Sequence, residues 1–503
     1  LRRVADNLPR RVWVVALIGF WERFTFWGLT APWPENYMAN DPWIDVRPGK
    51  LALGQATATR IYCGFYIFYY VTPIFVAILS DARLGRFKTL CISAILYFFG
   101  SAVLAVTSHP LLLQWKAGLP GLIVAMVLIG LGGGGFRAII VPFIADQYPK
   151  SPPRLSVLKS GEQVVVDHTL TLGYIYTMYY WVGNLGSLSW FATTYMEKYY
   201  DGFWPAFALT CCSMAITMLM LLFGYSWYVK IPQEGNVLPR ATKIMLCAGK
   251  SGFNMKCALP GYQLEHHAKH VSWNGHLVDE LRRALRACKV LVAFVVFYIC
   301  FDQMQNNLIS QAGQMETKWM PNDAMPALNQ VAVIVFGPII HQFYIFLHKR
   351  KIYLRPIARI TIGFAFTSLS MAYATCVQGM IYHAPPCHRY PLVCEVKGTW
   401  PAGPNKVNVW VQAPVYVLLA LGEIFGLVTA LEYSYEHSPK DMKAVIQAIS
   451  LLIAGLGSSC AMALTPVAKD PHLMILYASL FGAMALTTIV FWLAFRGYDR
   501  NYI

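Results

Sequence analysis

Glu22 and Arg23 stand side by side in the middle of an apolar run that extends from Val12 to Pro32. A run of that length can cross a bilayer. An Arg at the centre of a membrane helix costs about 2.5–3.5 kcal/mol even on the lenient insertion scale. An acid and a guanidinium kept at that depth are expected to face a water-filled or protein-lined interior, where they can pair, hold a charged solute or pass a proton. Other polar groups recur inside apolar runs: Arg137 after Gly132–Gly135, Asn184, Asp302 with Gln303, Gln305 and Asn306, Asn329, and Glu423 after Gly422. Their charges roughly balance, so they can pair within one cavity. Buried pairs that only fix packing are the alternative, although apolar replacement of such pairs is often neutral or better. The glycine run is read as close helix packing, because Phe136-Arg137 follows it where a phosphate loop needs Lys-Ser/Thr.

The elements that carry these residues are long and apolar. The 503 residues are 56% hydrophobic and only 13% charged, against about 25% charged in soluble domains. The chain is therefore expected to be an all-α, polytopic membrane protein. Apolar runs fall at about 12–32, 59–79, 89–108, 119–144, 172–196 and 203–229, then at 290–312, 327–347, 360–381, 409–435, 445–466 and 472–495. The net charge of +16 comes from basic residues clustered between runs, which reads as positive-inside topology with both termini cytosolic. Nucleic-acid binding is not expected, since no basic surface domain exists to carry it. Twelve transmembrane helices in two six-helix bundles is the major facilitator layout. The expected division is 1–230, a cytosolic linker at 231–287, and 288–503. Within the linker, Leu277, Leu281 and Leu285 predict an amphipathic helix over 276–288, lying on the membrane surface or leading into span 7.

The basic turn Asp81-Ala82-Arg83-Leu84-Gly85-Arg86 joins spans 2 and 3. Asp81, Arg83 and Arg86 are read as a gate or latch, a two-state contact of the kind alternating access requires. An ordinary tight turn with dipole-matched charges is the other reading. His266, His267 and His270 lie in the linker without a carboxylate set, so no metal site and no cofactor are expected. Most of the twelve Cys sit in apolar runs as small core residues. Cys387 and Cys394 share one polar loop and can form a disulfide if that loop is extracytosolic. No nucleophile–base pair lies within the spans, so an enzyme is not expected.

These residues resemble the proton-dependent oligopeptide transporter (POT) family, most closely its fungal members, nearly end to end. Glu22-Arg23-Phe24 with Gly28 resembles the second half of the ExxERFxYYG motif of span 1. Residues 81–88 resemble the span 2–3 turn. Gly132 to Arg137 with Pro142-Phe143 and Ala145-Asp146-Gln147 is similar to the GxGGxKxxVxPFxADQ segment. Tyr180, Asn184, Gly186 and Ser187 fit the FYWxINxGSL segment, Phe301-Asp302-Gln303 fits span 7, and Gly422-Glu423-Ile424-Phe425 is similar to the span 10 signature. The resemblance implies that Arg23 and Arg137 hold a substrate carboxylate and Glu423 its amino group. It implies that Tyr180, Asn184 and Asn329 bond the peptide backbone, with Tyr298 nearby. Glu22, Asp302 and Glu423 become the proton carriers, and Asp302 part of the extracellular gate. A guanidinium fork suits a carboxylate, and a buried acid suits an ammonium.

The chain departs from the family pattern in several places. Gly19 replaces the first acid of the span 1 motif, Arg137 the span 4 Lys, and Phe26 and Trp27 the two tyrosines; Cys63 stands where animal relatives have a His. The expected activity is proton-coupled uptake of di- and tripeptides or peptide-like solutes by a monomer in the plasma membrane. The alternative is the same fold carrying a non-peptide organic anion or specialised metabolite, without proton coupling.

Overall fold

In a computed structural model the described residues are all except 1–2, 7, 34–36, 39–50, 149–151, 153, 158–162, 167, 201, 231–236, 252–253, 268–269, 318–319, 351, 353, 392–403, 437–442, 469 and 498–503. By packing, the chain sorts into two units. One comprises Leu1–Ala52 with Arg83–Gln233, the other Leu53–Ala82 with Glu234–Ile503. The span 2 helix therefore packs with the second unit, whereas the bundles expected from the sequence count it in the first.

In chain order, a short strand β1 (Arg3–Val4) precedes α1 (Arg10–Thr30) and α2 (Gln55–Leu79). Then come α3 (Arg86–Thr107), the one-turn α4 (Pro110–Gln114) and α5 (Gly118–Asp146). Strands β2 (Arg154–Val157) and β3 (Gln163–Val166) pair antiparallel, and β1 adds to β3 in parallel. This small sheet has no counterpart in the sequence reading, because strands of two and four residues leave no usable periodicity. Asp6 fastens it: Tyr148 and Arg154 donate to its carboxylate, and its own N–H donates to Thr171.

The fifth expected span, 172–196, is two helices, α6 (His168–Ser187) and α7 (Ser189–Tyr199), followed by α8 (Trp204–Phe223). Among the described residues, eleven stretches are long and apolar enough to cross a membrane, and α6 is not one of them. Its tyrosines and Asn184 dilute the hydropathy, as expected for a wall that lines polar space. The expected use of the glycine run holds at Gly132. A Cβ there would lie 2.5 Å from the Tyr97 backbone N and 2.7 Å from the Ser93 carbonyl O of α3. No side chain fits between those two backbones.

The second unit opens its linker with α9 (Val237–Lys250), α10 (Pro260–His267) and α11 (Gly275–Ala287). The amphipathic helix is present over the expected residues, but its apolar face is covered by protein. Val278, Leu281 and Ala284 pack with Ala241, Ile244 and Ala248 of α9, while Leu277 and Leu285 form the margin together with Ala77 and Ile78 of α2. Stacking of i, i+3 and i+6 residues on a second helix buries the stripe more completely than a membrane surface would.

Span 7 is interrupted. A 3-10 turn leads into α12 (Phe294–Asp302), a second 3-10 turn covers Gln303–Gln305, and Asn306 (φ −130°, ψ −96°) breaks the axis before α13 (Asn307–Gly313). A two-residue β4 (Met315–Glu316) follows, then α14 (Ala327–Lys349) and α15 (Pro356–His383). Strand β5 (Asn405–Asn408) pairs with β4. Span 10 is also irregular: α16 (Ala413–Gly422) passes into a π-helical turn, Glu423–Val428, before α17 (Thr429–Glu436). The chain closes with α18 (Lys443–Ala463) and α19 (Leu473–Phe495).

Near the α13 end, buried glutamines form a chain of bonds that all point one way. Tyr416 OH donates to Gln412 (3.3 Å), Gln412 to Gln311 (2.8 Å), Gln311 to Gln378 (2.8 Å), Gln378 to Gln314 (2.9 Å) and Gln314 to Asp470 (2.8 Å). Tyr382 donates to the other Asp470 oxygen. Burial pushes the Asp470 carboxyl above its ordinary range, and its two donors pull it back. Such a satisfied chain ties α13 to α15 and α16, and each member depends on the next. Gln311→Leu leaves the Gln412 amide N–H and the Gln378 carbonyl without their partner, so it is expected to cost about 2–4 kcal/mol, read as a lowered unfolding temperature in detergent. An unchanged transition would show that the chain adds nothing to stability.

Candidate substrate and proton site

On α1, Glu22 is fully buried and Arg23 reaches back over it. Arg23 Nε and Nη2 each lie 2.6 Å from one Glu22 oxygen. The guanidinium carbon also lies 5.2 Å from the Phe26 ring centroid. A planar fork on a carboxylate is the geometry that compensates the loss of hydration. Arg137 is partly buried on α5, in the helical turn that follows Gly132–Gly135. Tyr180 is exposed on α6, and Asn184 Nδ2 donates back to the Tyr180 carbonyl at 2.9 Å, so both groups lie along one line of that helix.

Gly19 is filled from outside α1. A Cβ at this position would fall deep inside the contact distance of the Tyr179 ring of α6. The volume that an acid would need here is occupied by a phenol.

Of the expected latch residues, Arg86 has a described ion pair. Arg86 Nη1 bonds both oxygens of Asp146 at 2.5 and 2.7 Å, joining the start of α3 to the end of α5 within one unit. Arg83 is exposed, and the Asp81 side chain lies outside the described residues.

In the second unit, Glu423 sits at the first position of the π turn, where an extra residue per turn re-aims the side chain. Its Oε2 accepts from Asn329 Nδ2 of α14 at 3.3 Å. Asn329 is fully buried, and its Oδ1 accepts no hydrogen bond among the described residues. Asp302 ends α12, and Ser458 Oγ of α18 donates to its Oδ2 at 2.5 Å. Tyr298 lies one turn earlier on α12, half-buried. Tyr62 and Tyr66 of α2 both donate to Gln305 Oε1, and Asn306 Nδ2 lies 3.9 Å from Cys63 Sγ.

The order of these helices and the positions of their acids can be compared with known proteins. A model of the POT family matches residues 87–484. The chain is 37% identical over 500 residues to the peptide transporter PTR_B of Candidozyma auris, covering 99% of this chain and 84% of that protein.

The chain belongs to the POT family.

It is also 37% identical over 499 residues to the peptide transporter PTR2 of Saccharomyces cerevisiae, covering 99% of this chain and 81% of that one. The fold agrees with a crystal structure of the POT family transporter PepTSo, at a TM-score of 0.74 and 21% identity over 98% of this chain and 99% of that one. This POT family member is thus an all-α, multi-pass integral membrane protein, and its family is one of peptide transporters, not of enzymes.

Sequence reasoning flagged Asp302 and Glu423 but missed Ser458 and Tyr179. The nearest signal for Ser458 was the small-residue cluster Gly455, Gly457, Ser458 and Ser459, which marks close helix packing. Cys387 is disulfide-bonded, while Cys394 lies outside the described residues. Among the described residues no group of His, Cys, Asp and Glu could hold a metal ion.

The Gly19–Tyr179 contact predicts a coupled pair. Gly19→Ala should cost about 1–3 kcal/mol through overpacking, and Tyr179→Ala should remove most of that cost. A double-mutant cycle on unfolding temperature checks it; additive losses would show that the ring does not fill the site.

Proposed function

We propose that this POT family member is a secondary active transporter that takes up di- and tripeptides or peptide-like solutes together with protons by alternating access. The observation that carries the reading is the character of the buried charge in each unit. The first holds a guanidinium fork on α1. The second holds an acid whose buried neighbour has a spare acceptor.

Arg23 and Arg137 would take the peptide carboxylate, since planar forks suit it. Glu423 and Asn329 Oδ1 would take the amino terminus. An ammonium has three donors and no acceptor; Glu423 accepts from Asn329 through Oε2, and Asn329 Oδ1 accepts no hydrogen bond among the described residues. Tyr180, Asn184 and Tyr298 would bond the peptide backbone. Glu22, Asp302 and Glu423 would carry protons, and Asp81, Arg83 and Arg86 would act at the gate. The relatives named peptide transporters support the cargo. Basic residues between apolar runs support cytosolic termini, and we place the monomer in the plasma membrane. One proton crossing about 150 mV supplies roughly 3.5 kcal/mol, or about 300-fold accumulation. No ATP is then needed.

A second reading keeps the fold and changes the cargo to an organic anion. It is favoured by Tyr179 in place of an acid beside Gly19 and by Arg137, which cannot release its proton.

Uptake of a broad dipeptide panel into proteoliposomes under an inward proton gradient tests the proposal. Wild-type protein should accumulate peptide. Arg23→Lys, which keeps the charge and loses the fork, and Glu423→Gln should each lower the initial rate at least about tenfold while remaining folded. No peptide flux across the panel would remove the proposal. Flux indifferent to an uncoupler would favour the second reading.

A further inference from the structure

Asp302 is an intramembrane acid whose hydrogen-bond partner among the described residues is a hydroxyl. Ser458 of α18 is fully buried and donates to Asp302 Oδ2 at 2.5 Å. No Lys, Arg or His pairs with this carboxylate among the described residues; the ion pairs there involve Glu22, Asp146, Asp6 and Glu280.

From α2, Tyr62 and Cys63 face the acid. Neither donates to it. The Tyr62 hydroxyl is committed to Gln305, and the Cys63 sulfur is engaged by Asn306.

The approach of α18 that brings Ser458 into range is set one residue earlier. A Cβ at Gly457 would come within 2.5 Å of Tyr298 Cβ and 3.2 Å of the Val295 carbonyl O on α12. Only a glycine lets the two helices touch here, and the touch places the hydroxyl on the carboxylate.

We propose that Ser458 is a positioning residue for Asp302: its hydroxyl favours the ionised carboxylate and ties it to α18, so Asp302 takes a proton more readily when α18 parts from α12. The inference rests on the previous subsection only for what that proton is used for. A donor to the charged form favours it over the neutral form. When α18 withdraws, a proton from water adds to Asp302, and the Ser458 O–H is left for water. No other bond changes. The hydroxyl thus converts a small helix displacement into a proton-uptake event, without a cation that must be displaced. The break at Asn306, four residues on, gives α12 the freedom to make that displacement independently of α13.

The test uses the purified full chain in nanodiscs and dicyclohexylcarbodiimide, which reacts with protonated buried carboxyls. Modification of the peptide containing Asp302 is followed by mass spectrometry at pH 9, with Asp302→Asn as the blank. Ser458→Ala should raise the modification rate about tenfold, a change in protonation equivalent to about 1.4 kcal/mol. Ser458→Cys, a weaker donor of similar size, should fall between. Gly457→Ala, which pushes the helices apart, should resemble Ser458→Ala. Modification of Glu423 in the same samples should stay at the wild-type rate, which separates a local effect from general loosening. Equal Asp302 rates in wild type and Ser458→Ala, or a parallel rise at Glu423, would overturn the inference. Should Ser458→Ala not fold, Ser458→Cys and Gly457→Ala decide it in the same way. The labelling reads Asp302 directly, so it stands even if the vesicles show no peptide flux, an outcome that would defeat the proposed function alone.

Discussion

A carboxylate inside an apolar helix must be given a donor, because hydrocarbon supplies none. Three acids of this protein meet that demand in three ways. Glu22 is held by the two-pronged guanidinium of Arg23. Asp302 is held by the Ser458 hydroxyl. Glu423 is held by the Asn329 amide at 3.3 Å. The donors differ in strength, since a charge-assisted fork holds an anion more firmly than a neutral group does. The three acids are thereby graded, and two of them, Asp302 and Glu423, are held by neutral donors.

That grading depends on irregular backbone. Asp302 sits at the end of α12, immediately before the 3-10 turn and the break at Asn306, and Glu423 opens a π-helical turn. Both departures from α geometry free polar groups that a membrane would penalise. On α13, the Leu308 carbonyl accepts from Gln412, which heads the one-directional chain of glutamines that ends on Asp470. Beyond the break, span 7 is tied to its neighbours. Before it, α12 rests on α18 through Gly457 and Ser458.

Much of this was legible in the sequence. Apolar length located most spans to within a few residues, since a bilayer demands it. The intramembrane acids were legible for the same reason: a charge inside such a run has no cheap structural explanation. The pairing of Glu22 with Arg23 was legible too, but the partners of Asp302 and Glu423 were not. Ser458 and Asn329 are uncharged side chains on other helices, and no periodicity links them to Asp302 or Glu423. The fifth span was read as one helix because apolar content does not record the break near Leu188. For the linker helix, the stripe shows that Leu281 is buried but not what buries it, so a membrane surface and a lead into span 7 both stay open in the sequence. At Gly19 the sequence showed a missing acid, and only the fold shows the Tyr179 ring in its place.

The central claim is that Asp302 and Glu423, the acids held by neutral donors, are needed for protons to move with the peptide. Proteoliposomes loaded with a pH-sensitive dye test it most directly, by recording internal acidification when peptide is added outside. Wild-type protein should acidify the lumen with peptide entry, and the Asp302→Asn, Glu423→Gln double variant should show no peptide-dependent acidification. Acidification at the wild-type rate in that double variant would contradict the account.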